Sequence, residues 1–253
     1  MKHLAWLVIA AGCASAQSAF APPYLPDGHP DFGGIWMAAT LSAAFNVEEH
    51  AASYGTPAGP SVIVDPPGGK LPYLPGMRER AIDNDQHRER DPVGQCHMHG
   101  VPRVMFPPFP LEVVQDGDYV VILTETEHGV RIIPTDGRPH DPKKIETTYM
   151  GYGVGKWEGD TLIVDSISFV DSTWLGRGGF IHSDNMHVIE KFRREGNVLL
   201  YDVTVEDPDY LIEPYVFPTR VVQRSQNPDA GLIRERGDCE VYDLGNATSQ
   251  IRH

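Results

Sequence analysis

From residue 111 onward the chain alternates short apolar runs with tight-turn sequences, and this pattern constrains its fold more than any other feature. The runs are rich in Val, Ile, Tyr and Thr, which is typical of β-strands. Between the runs lie the turn sequences Asp116-Gly117, Asp136-Gly137, Glu158-Gly159-Asp160 and Glu195-Gly196-Asn197. Such turns favour hairpins, so neighbouring strands are expected to run antiparallel.

The predicted strands follow one another closely along the chain. They lie at 111–114, 119–125, 130–134, 147–154, 156–157, 161–169, 186–193, 198–206 and 215–223. The 25 glycines and 22 prolines among 253 residues agree with many short elements joined by turns. About eight strands in sequence order predict a mostly β fold, in which an antiparallel up-and-down meander closes into a barrel.

The part of the chain before residue 111 has a different character. Residues 17–110 are predicted to form an irregular, partly helical arm that also carries the first strand, at Gly34-Ile35-Trp36. A helix expected over 75–89 has too few apolar residues for a core helix and should be solvated. The arm is expected to fold over the barrel body, 111–253, as part of the same structural domain.

The first sixteen residues are typical of an export signal. Lys2 is followed by the apolar run 4–11 and by Ala14-Ser15-Ala16, a small-residue cleavage sequence. The apolar run is too short to span a bilayer, so a cleaved signal at 1–16 and a periplasmic or secreted protein are predicted. In the alternative, a lipoprotein signal retains Cys13 as a lipid attachment site.

Net charge and cysteine content indicate which partners the protein can bind and whether it can form a disulfide. The 35 acidic and 21 basic residues give a formal charge of −14, which argues against binding to nucleic acid or to an anionic membrane surface. After cleavage only Cys96 and Cys239 remain, and in an oxidising compartment they either form one disulfide or stay as separate buried thiols. Self-association into a homo-oligomer is left open.

Two sets of residues carry a resemblance to known families. Gly34-Ile35-Trp36 resembles the Gly-x-Trp of lipocalin-type barrels, in which the Trp closes the barrel floor. The segment 153–165, with Trp157-Glu158-Gly159-Asp160 at its centre, and the segment 187–192 resemble a family of exported bacterial proteins over residues 26–218. This resemblance implies a lipocalin-like barrel and no particular activity. Family members commonly have residues other than His where this chain has His97 and His99.

Glu190 is the first candidate for chemistry. In a strand over 186–193, alternation places Val188, Glu190 and Phe192 on one face and His187 on the other. The apolar face is expected to point into the barrel. A carboxyl group buried there can act as a general acid or base near neutral pH. The alternative is a structural ion pair with an interior arginine.

Three further residues complete the predicted catalytic set. His182 and His187 flank a loop-to-strand junction, where an imidazole can transfer protons or, in the alternative, merely cap the loop through hydrogen bonds. Arg103 lies among apolar residues and needs a partner. Glu190, Asp207 or an anionic or phenolic ligand oxygen could provide one, and a plain salt bridge is the alternative.

Other residues are predicted to contact a substrate, because they flank the expected hairpins and loops at the barrel mouth or share the inner face with Glu190. These residues are Arg131, His140, Asp171, Trp174, Tyr210 and Phe192. The glycine-rich loop over 171–181 suits either a lid or a long hairpin. His97 and His99 form an H-x-H pair of the kind found in metal sites, but no Glu follows at the expected short distance.

These observations lead to three functional hypotheses for a barrel that encloses a small hydrophobic or aromatic molecule. The first is a cofactor-independent lyase, isomerase or hydratase that uses Glu190 with His182 or His187, assisted by Arg103. The second is a non-catalytic periplasmic carrier. The third is a metal-dependent hydrolase that uses the clustered histidines. No cofactor is expected, because nucleotide-binding, G-x-S-x-G, H-E-x-x-H and C-x-x-C sequences are absent.

Overall fold

Ten β-strands and one α-helix form the regular structure in the computed structural model, which describes residues 22–38, 46–52, 57–140 and 146–225. The predicted signal at 1–16 and Cys239 therefore lie outside the described residues. The strands are β1 (Gly34–Ala38), β2 (Leu111–Gln115), β3 (Tyr119–Thr124), β4 (Val130–Pro134), β5 (Tyr152–Glu158), β6 (Thr161–Ile167), β7 (His187–Glu195), β8 (Val198–Glu206), β9 (Tyr215–Val216) and β10 (Arg220–Arg224). The helix α1 spans Met77–Gln86.

The strands form one antiparallel sheet that curls into a barrel. Their order is β4-β3-β2-β1-β10-β8-β7-β6-β5, while the short strand β9 pairs with β8 outside this path. Each hydrogen-bonded pair is antiparallel, and the two end strands β4 and β5 lie side by side. The prediction of a mostly β, up-and-down, lipocalin-like barrel is confirmed, with nine strands around a nearly closed wall.

The strand number has a geometric consequence where the wall closes. Nine strands that alternate in direction leave the first and last of them, β4 and β5, pointing the same way, and no ladder of the described residues joins these two strands. A Cβ atom on Gly155 of β5 would lie 2.8 Å from Thr135 and 3.2 Å from Ile133. Glycine at this position therefore lets β5 come close to the end of β4. We call the contact between β4 and β5 the seam.

Trp36 lies at the end of the barrel that carries the turn between β7 and β8, and we call this end the floor. Its side chain is fully buried, and its indole Nε1 donates a 2.9 Å hydrogen bond to the backbone oxygen of Phe32. The guanidinium of Arg194 lies 5.4 Å from the ring centroid and donates to the backbone oxygen of Asp31. Outside this floor, His29 stacks on Trp157 at 4.5 Å, so the segment before β1 is packed against the same end.

The arm between β1 and β2 contacts the opposite end of the barrel. The Tyr73 hydroxyl donates to the backbone oxygen of Ile181, and the Leu74 amide donates to that of Tyr210. Both acceptors belong to loops at that end of the barrel. Helix α1 buries only Ala81, which confirms the expectation of a solvated helix. No helix in the described ranges is long and apolar enough to cross a membrane.

Two strand predictions differ from the structure. The runs 147–154 and 156–157 are predicted as separate pieces, but β5 is continuous from Tyr152 to Glu158, with Gly155 packed closely against the end of β4. The run 215–223 was expected as one strand, but it is split into β9 and β10. Pro218 lies in the gap, where it cannot donate a hydrogen bond to a ladder.

Trp36→Ala should lower the free energy of unfolding by about 3–5 kcal/mol, because it leaves a large cavity in the barrel floor. Urea denaturation followed by circular dichroism measures this change. Met37→Ala is the matched control, since Met37 is the next residue on β1 and is exposed, so its loss should cost less than about 1 kcal/mol. Equal losses for the two variants would contradict the assignment of Trp36 as the floor.

Candidate functional site

The barrel interior is filled by the inward side chains of its strands. Alternate residues of β6, β7 and β8 are buried, and their apolar members join one core with those of β2 and β3. Phe192, predicted as a substrate contact, is part of this core, with its ring 5.0 Å from that of Tyr201. The inward face of the barrel therefore works first as a hydrophobic core.

A buried polar network lies within this core, centred on Glu190. The predicted inward orientation of Glu190 is confirmed, since its side chain is fully buried. Arg131 of β4 binds both of its oxygens, Nη1 to Oε1 at 2.8 Å and Nη2 to Oε2 at 2.5 Å. The Tyr201 hydroxyl donates to Oε1 at 2.9 Å, and the Ser166 hydroxyl donates to Oε2 at 3.5 Å. The carboxylate is thus an acceptor for four protein donors.

The charges in this network stabilise one another. Burial alone would lower the pKa of Arg131, but the charge and hydrogen bonds of Glu190 outweigh burial and raise that pKa. Burial, followed by the Glu190 charge, raises the pKa of the Tyr201 hydroxyl well above its ordinary value, so Tyr201 stays protonated and donates. The arrangement is that of a structural ion pair, which the sequence analysis left open as the alternative for Glu190.

His187 and His140 lie on the outer wall of the barrel, across the sheet from Glu190. Nε2 of His187 is 2.8 Å from Oδ1 of Asp165, and Nε2 of His140 is 3.1 Å from the same oxygen. Nδ1 of His187 is 3.2 Å from Oε2 of Glu206. The structure therefore brings His140 and His187 together around Asp165, but it does not bring His187 to Glu190 for a shared proton transfer.

His182 is buried in the loop between β6 and β7. Its Nδ1 is 2.8 Å from the Ser183 backbone oxygen, which only accepts, so Nδ1 carries the proton. Its Nε2 then accepts a 2.6 Å hydrogen bond from the Thr173 hydroxyl. Burial lowers the pKa of His182, although Asp207 and the exposed Asp171 oppose this shift. A neutral His182 fastens the loop, which is the capping role that was the alternative to catalysis.

The loop over 171–181 is a packed hairpin, one of the two predicted forms. Trp174 is buried and pairs with Ile181, and the Leu175 amide donates to the Phe180 oxygen at 2.7 Å. A side chain at Gly179 would lie 2.6 Å from the backbone oxygen of Ala81 in α1. The hairpin is thus held against the arm.

Arg103 and Tyr210 lie apart from the Glu190 network. Arg103 forms a two-pronged ion pair with Asp91 of the arm, at 2.9 and 2.7 Å, so its partner is neither Glu190 nor Asp207. This is the plain salt bridge that the sequence allowed, and it holds two parts of the arm together. The Tyr210 hydroxyl accepts a hydrogen bond from Arg80 of α1 at 3.1 Å.

A cleft of about 340 Å³ opens at the seam, and we call it the seam cleft. Its lining comes from β4, from the turn that leads into β5, from the start of β5, and from one residue of the arm. The lining residues are Met98, Val130, Arg131, Ile132, Ile133, Thr148, Tyr149, Met150, Gly151 and Gly153. All but Arg131 are uncharged. The side chains of Val130 and Ile132 are about half exposed and leave an apolar surface at the cleft.

Two segments remote in sequence form one wall of the seam cleft. The Tyr149 hydroxyl lies 2.7 Å from Nδ1 of His97, and the two rings stack with centroids 5.7 Å apart. This contact joins the His97-Met98 segment of the arm to Tyr149-Met150. Cys96, the residue before His97, is disulfide-bonded, whereas Cys239 lies outside the described residues.

Of the predicted site residues, only Arg131 lines the seam cleft. Met98, Tyr149 and Met150 also line the cleft, and no sequence pattern indicates them. The cleft arises from the closure of the barrel and from a contact between distant segments. Within the described ranges, no group of three or more His, Cys, Asp and Glu residues is placed to hold a metal ion. His97, His182 and His187 lie in different parts of the fold: the arm, a buried loop and the outer wall.

Comparisons with known proteins identify no family for this chain. No protein-family model and no curated protein matches the chain. Solved structures match, among them a REP1-NXSQ fatty acid transporter with a TM-score of 0.30 and 19% identity. That match covers 56% of this chain and 87% of the transporter. A similarity of this extent carries no argument about the ligand.

Arg131→Met should cost about 3–5 kcal/mol of unfolding free energy, because it leaves the Glu190 charge buried without its partner. The double variant Arg131→Met/Glu190→Met removes both charges and should regain at least half of that loss. Urea denaturation of the two variants and the wild type measures both values. A double variant less stable than Arg131→Met would contradict the structural ion pair.

Acidification should destabilise the protein partly through His182. Because the pKa of His182 is lowered in the folded state, the unfolded chain binds the proton more readily, and stability falls as the pH drops below about 6.5. His182→Gln keeps a partner for Thr173 without titrating, so its stability should fall less steeply between pH 6.5 and 5. Parallel pH profiles of melting temperature for the variant and the wild type would contradict a buried neutral His182.

Proposed function

We propose that the protein binds a small hydrophobic or aromatic molecule in the seam cleft and carries it without chemical change. The observation that supports this proposal is the mostly uncharged cleft between β4 and β5, where the described residues form no antiparallel ladder. Its volume of about 340 Å³ falls within the range of small-molecule sites, roughly 300–1,000 Å³. The filled core argues for a ligand at the seam rather than along the barrel axis.

The lining of the seam cleft fits such a ligand. Val130 and Ile132 expose branched side chains that lose contact with water when a ligand covers them. Met98 and Met150 add flexible thioethers, which adapt to irregular shapes and contact aromatic rings favourably. Together with the ring of Tyr149, these groups give the apolar area that binding of an uncharged hydrophobic molecule requires.

The place of action is part of the proposal. The signal-like sequence at 1–16 supports a periplasmic or secreted carrier. We propose on this basis that the carrier works outside the cytoplasm.

Acid–base catalysis by Glu190 is a second candidate function. The observation in its favour is that Arg131, which lines the cleft, binds both carboxylate oxygens of Glu190. A lyase, isomerase or hydratase would need Glu190 to exchange its Arg131 contact for a proton. The carrier needs no such change, so the geometry favours the carrier.

The metal-dependent hydrolase is not carried forward as a proposal. The histidines that it needs are separated in the fold, because His182 is buried in a loop and His187 lies on the outer wall beside Asp165.

Ligand binding can be tested with N-phenyl-1-naphthylamine, a neutral probe that fluoresces in apolar sites. The wild type should bind it, and Ile132→Gln should weaken binding about fivefold because roughly 1 kcal/mol of apolar contact is lost. Val114→Gln is the matched control: Val114 is an exposed outward residue of β2 that does not line the cleft. Equal affinities for the wild type and Ile132→Gln would place the ligand elsewhere.

The carrier and the enzyme are separated by Glu190→Gln. If Glu190 is an acid–base group, this variant should lose turnover of any substrate found by screening hydrophobic compounds, while it still binds the probe. A carrier should show no turnover in the wild type, and the released ligand should be chemically unchanged by mass spectrometry. Turnover that the variant abolishes would replace the carrier with the enzyme.

A further inference from the structure

We infer that the seam cleft selects neutral ligands over carboxylates and that Glu190 is the residue that sets this selectivity. The inference rests on the proposed ligand-binding function and names the class of ligand. Arg131 is the only charged residue among those that line the cleft, and an arginine at an apolar site would ordinarily attract a carboxylate. Here the protein supplies its own carboxylate.

The guanidinium of Arg131 turns its two Nη atoms toward that internal partner. Both of its Nη atoms bind Glu190, one to each carboxylate oxygen, which is the paired geometry that an acidic ligand would otherwise adopt. Both side chains are buried, so their attraction is weakly screened. A ligand carboxylate that took this position would have to displace Glu190 and leave a charge buried without a partner, which is strongly unfavourable.

The ion pair lies close enough to the cleft to act on a ligand. Gly153 lines the cleft, and a Cβ atom there would already be 2.9 Å from the Ser166 hydroxyl. Ser166 in turn donates to Oε2 of Glu190 at 3.5 Å. A single hydroxyl group therefore separates the glycine surface of the cleft from the carboxylate.

Among the residues that the structure describes, the rest of the lining offers an acidic ligand no replacement cation. The other nine lining residues are apolar, glycine, threonine or tyrosine, and the whole protein has a net charge of −14. A neutral ligand can use the hydroxyl groups of Thr148 and Tyr149 and the apolar surfaces without meeting this repulsion. The cleft therefore favours a neutral ligand through both its local and its overall charge.

The test compares two ligands of equal size, 2-naphthamide and 2-naphthoate, as competitors of N-phenyl-1-naphthylamine near neutral pH. The neutral amide should displace the probe from the wild type at a concentration at least tenfold lower than the carboxylate. The difference should persist in high salt, because the buried pair is little screened whereas the general surface charge is. Equal displacement, or tighter binding of 2-naphthoate, would overturn the inference.

Glu190→Gln tests the role of Glu190 directly. This variant releases Arg131, so 2-naphthoate should bind at least fivefold more tightly than it binds the wild type, while the amide changes little. Glu112→Gln is the matched control, because it removes one negative charge from β2 outside the cleft and should leave the ratio unchanged. An unchanged ratio in Glu190→Gln would overturn the inference.

The outcomes separate this inference from the proposed function. If N-phenyl-1-naphthylamine does not bind the wild type, the proposed function fails. If the probe binds and responds to Ile132→Gln but the two naphthalene ligands compete equally, the function stands and the selectivity fails. Should Glu190→Gln not fold, the wild-type comparison in low and high salt still decides the inference.

Discussion

The closure of an alternating sheet by nine strands is the constraint on which the rest of the structure depends. An even number would let every strand find an antiparallel neighbour, but nine leave β4 and β5 parallel and without a ladder between them. The segment after β4 must therefore return along the barrel before β5 begins. The turn at its end, 148–151, forms a wall of the seam cleft. The odd number of strands thus determines the path of the chain between β4 and β5, and this path places the turn that lines the seam cleft.

The Arg131–Glu190 ion pair connects two parts of the closed barrel through its filled core. Arg131 comes from β4 and Glu190 from β7, so their pair spans the barrel interior between strands that are not neighbours in the sheet. Such a contact needs a matched position on both strands, whereas apolar side chains tolerate small shifts. Tyr201 on β8 and Ser166 on β6 fix the remaining lone pairs of the carboxylate. The network therefore favours one arrangement of the wall.

Sequence predicted the parts of this molecule that depend on local periodicity. Alternation along β7 placed Glu190 inside and His187 outside. The ion-pair partners of Arg103 and Glu190 could not be predicted from the sequence. Asp91 contacts Arg103, and Arg131 contacts Glu190, only after folding brings distant segments together. The cleft was missed for the same reason: Met98 and Tyr149 follow no shared pattern, and the long-range contact of His97 with Tyr149 joins them.

The position of β1 in the sheet has a consequence for how the chain acquires its structure. Its neighbours are β2, beyond the arm of residues 39–110, and β10, near the other end of the described chain. The meanders β2 to β4 and β5 to β8 are joined by short local pairings, so each can form early, whereas β1 must wait for partners that are far away in sequence. We therefore expect β1, the strand that carries Trp36, to be the last to pair. Its pairing with β2 and β10 then joins the two meanders into one sheet.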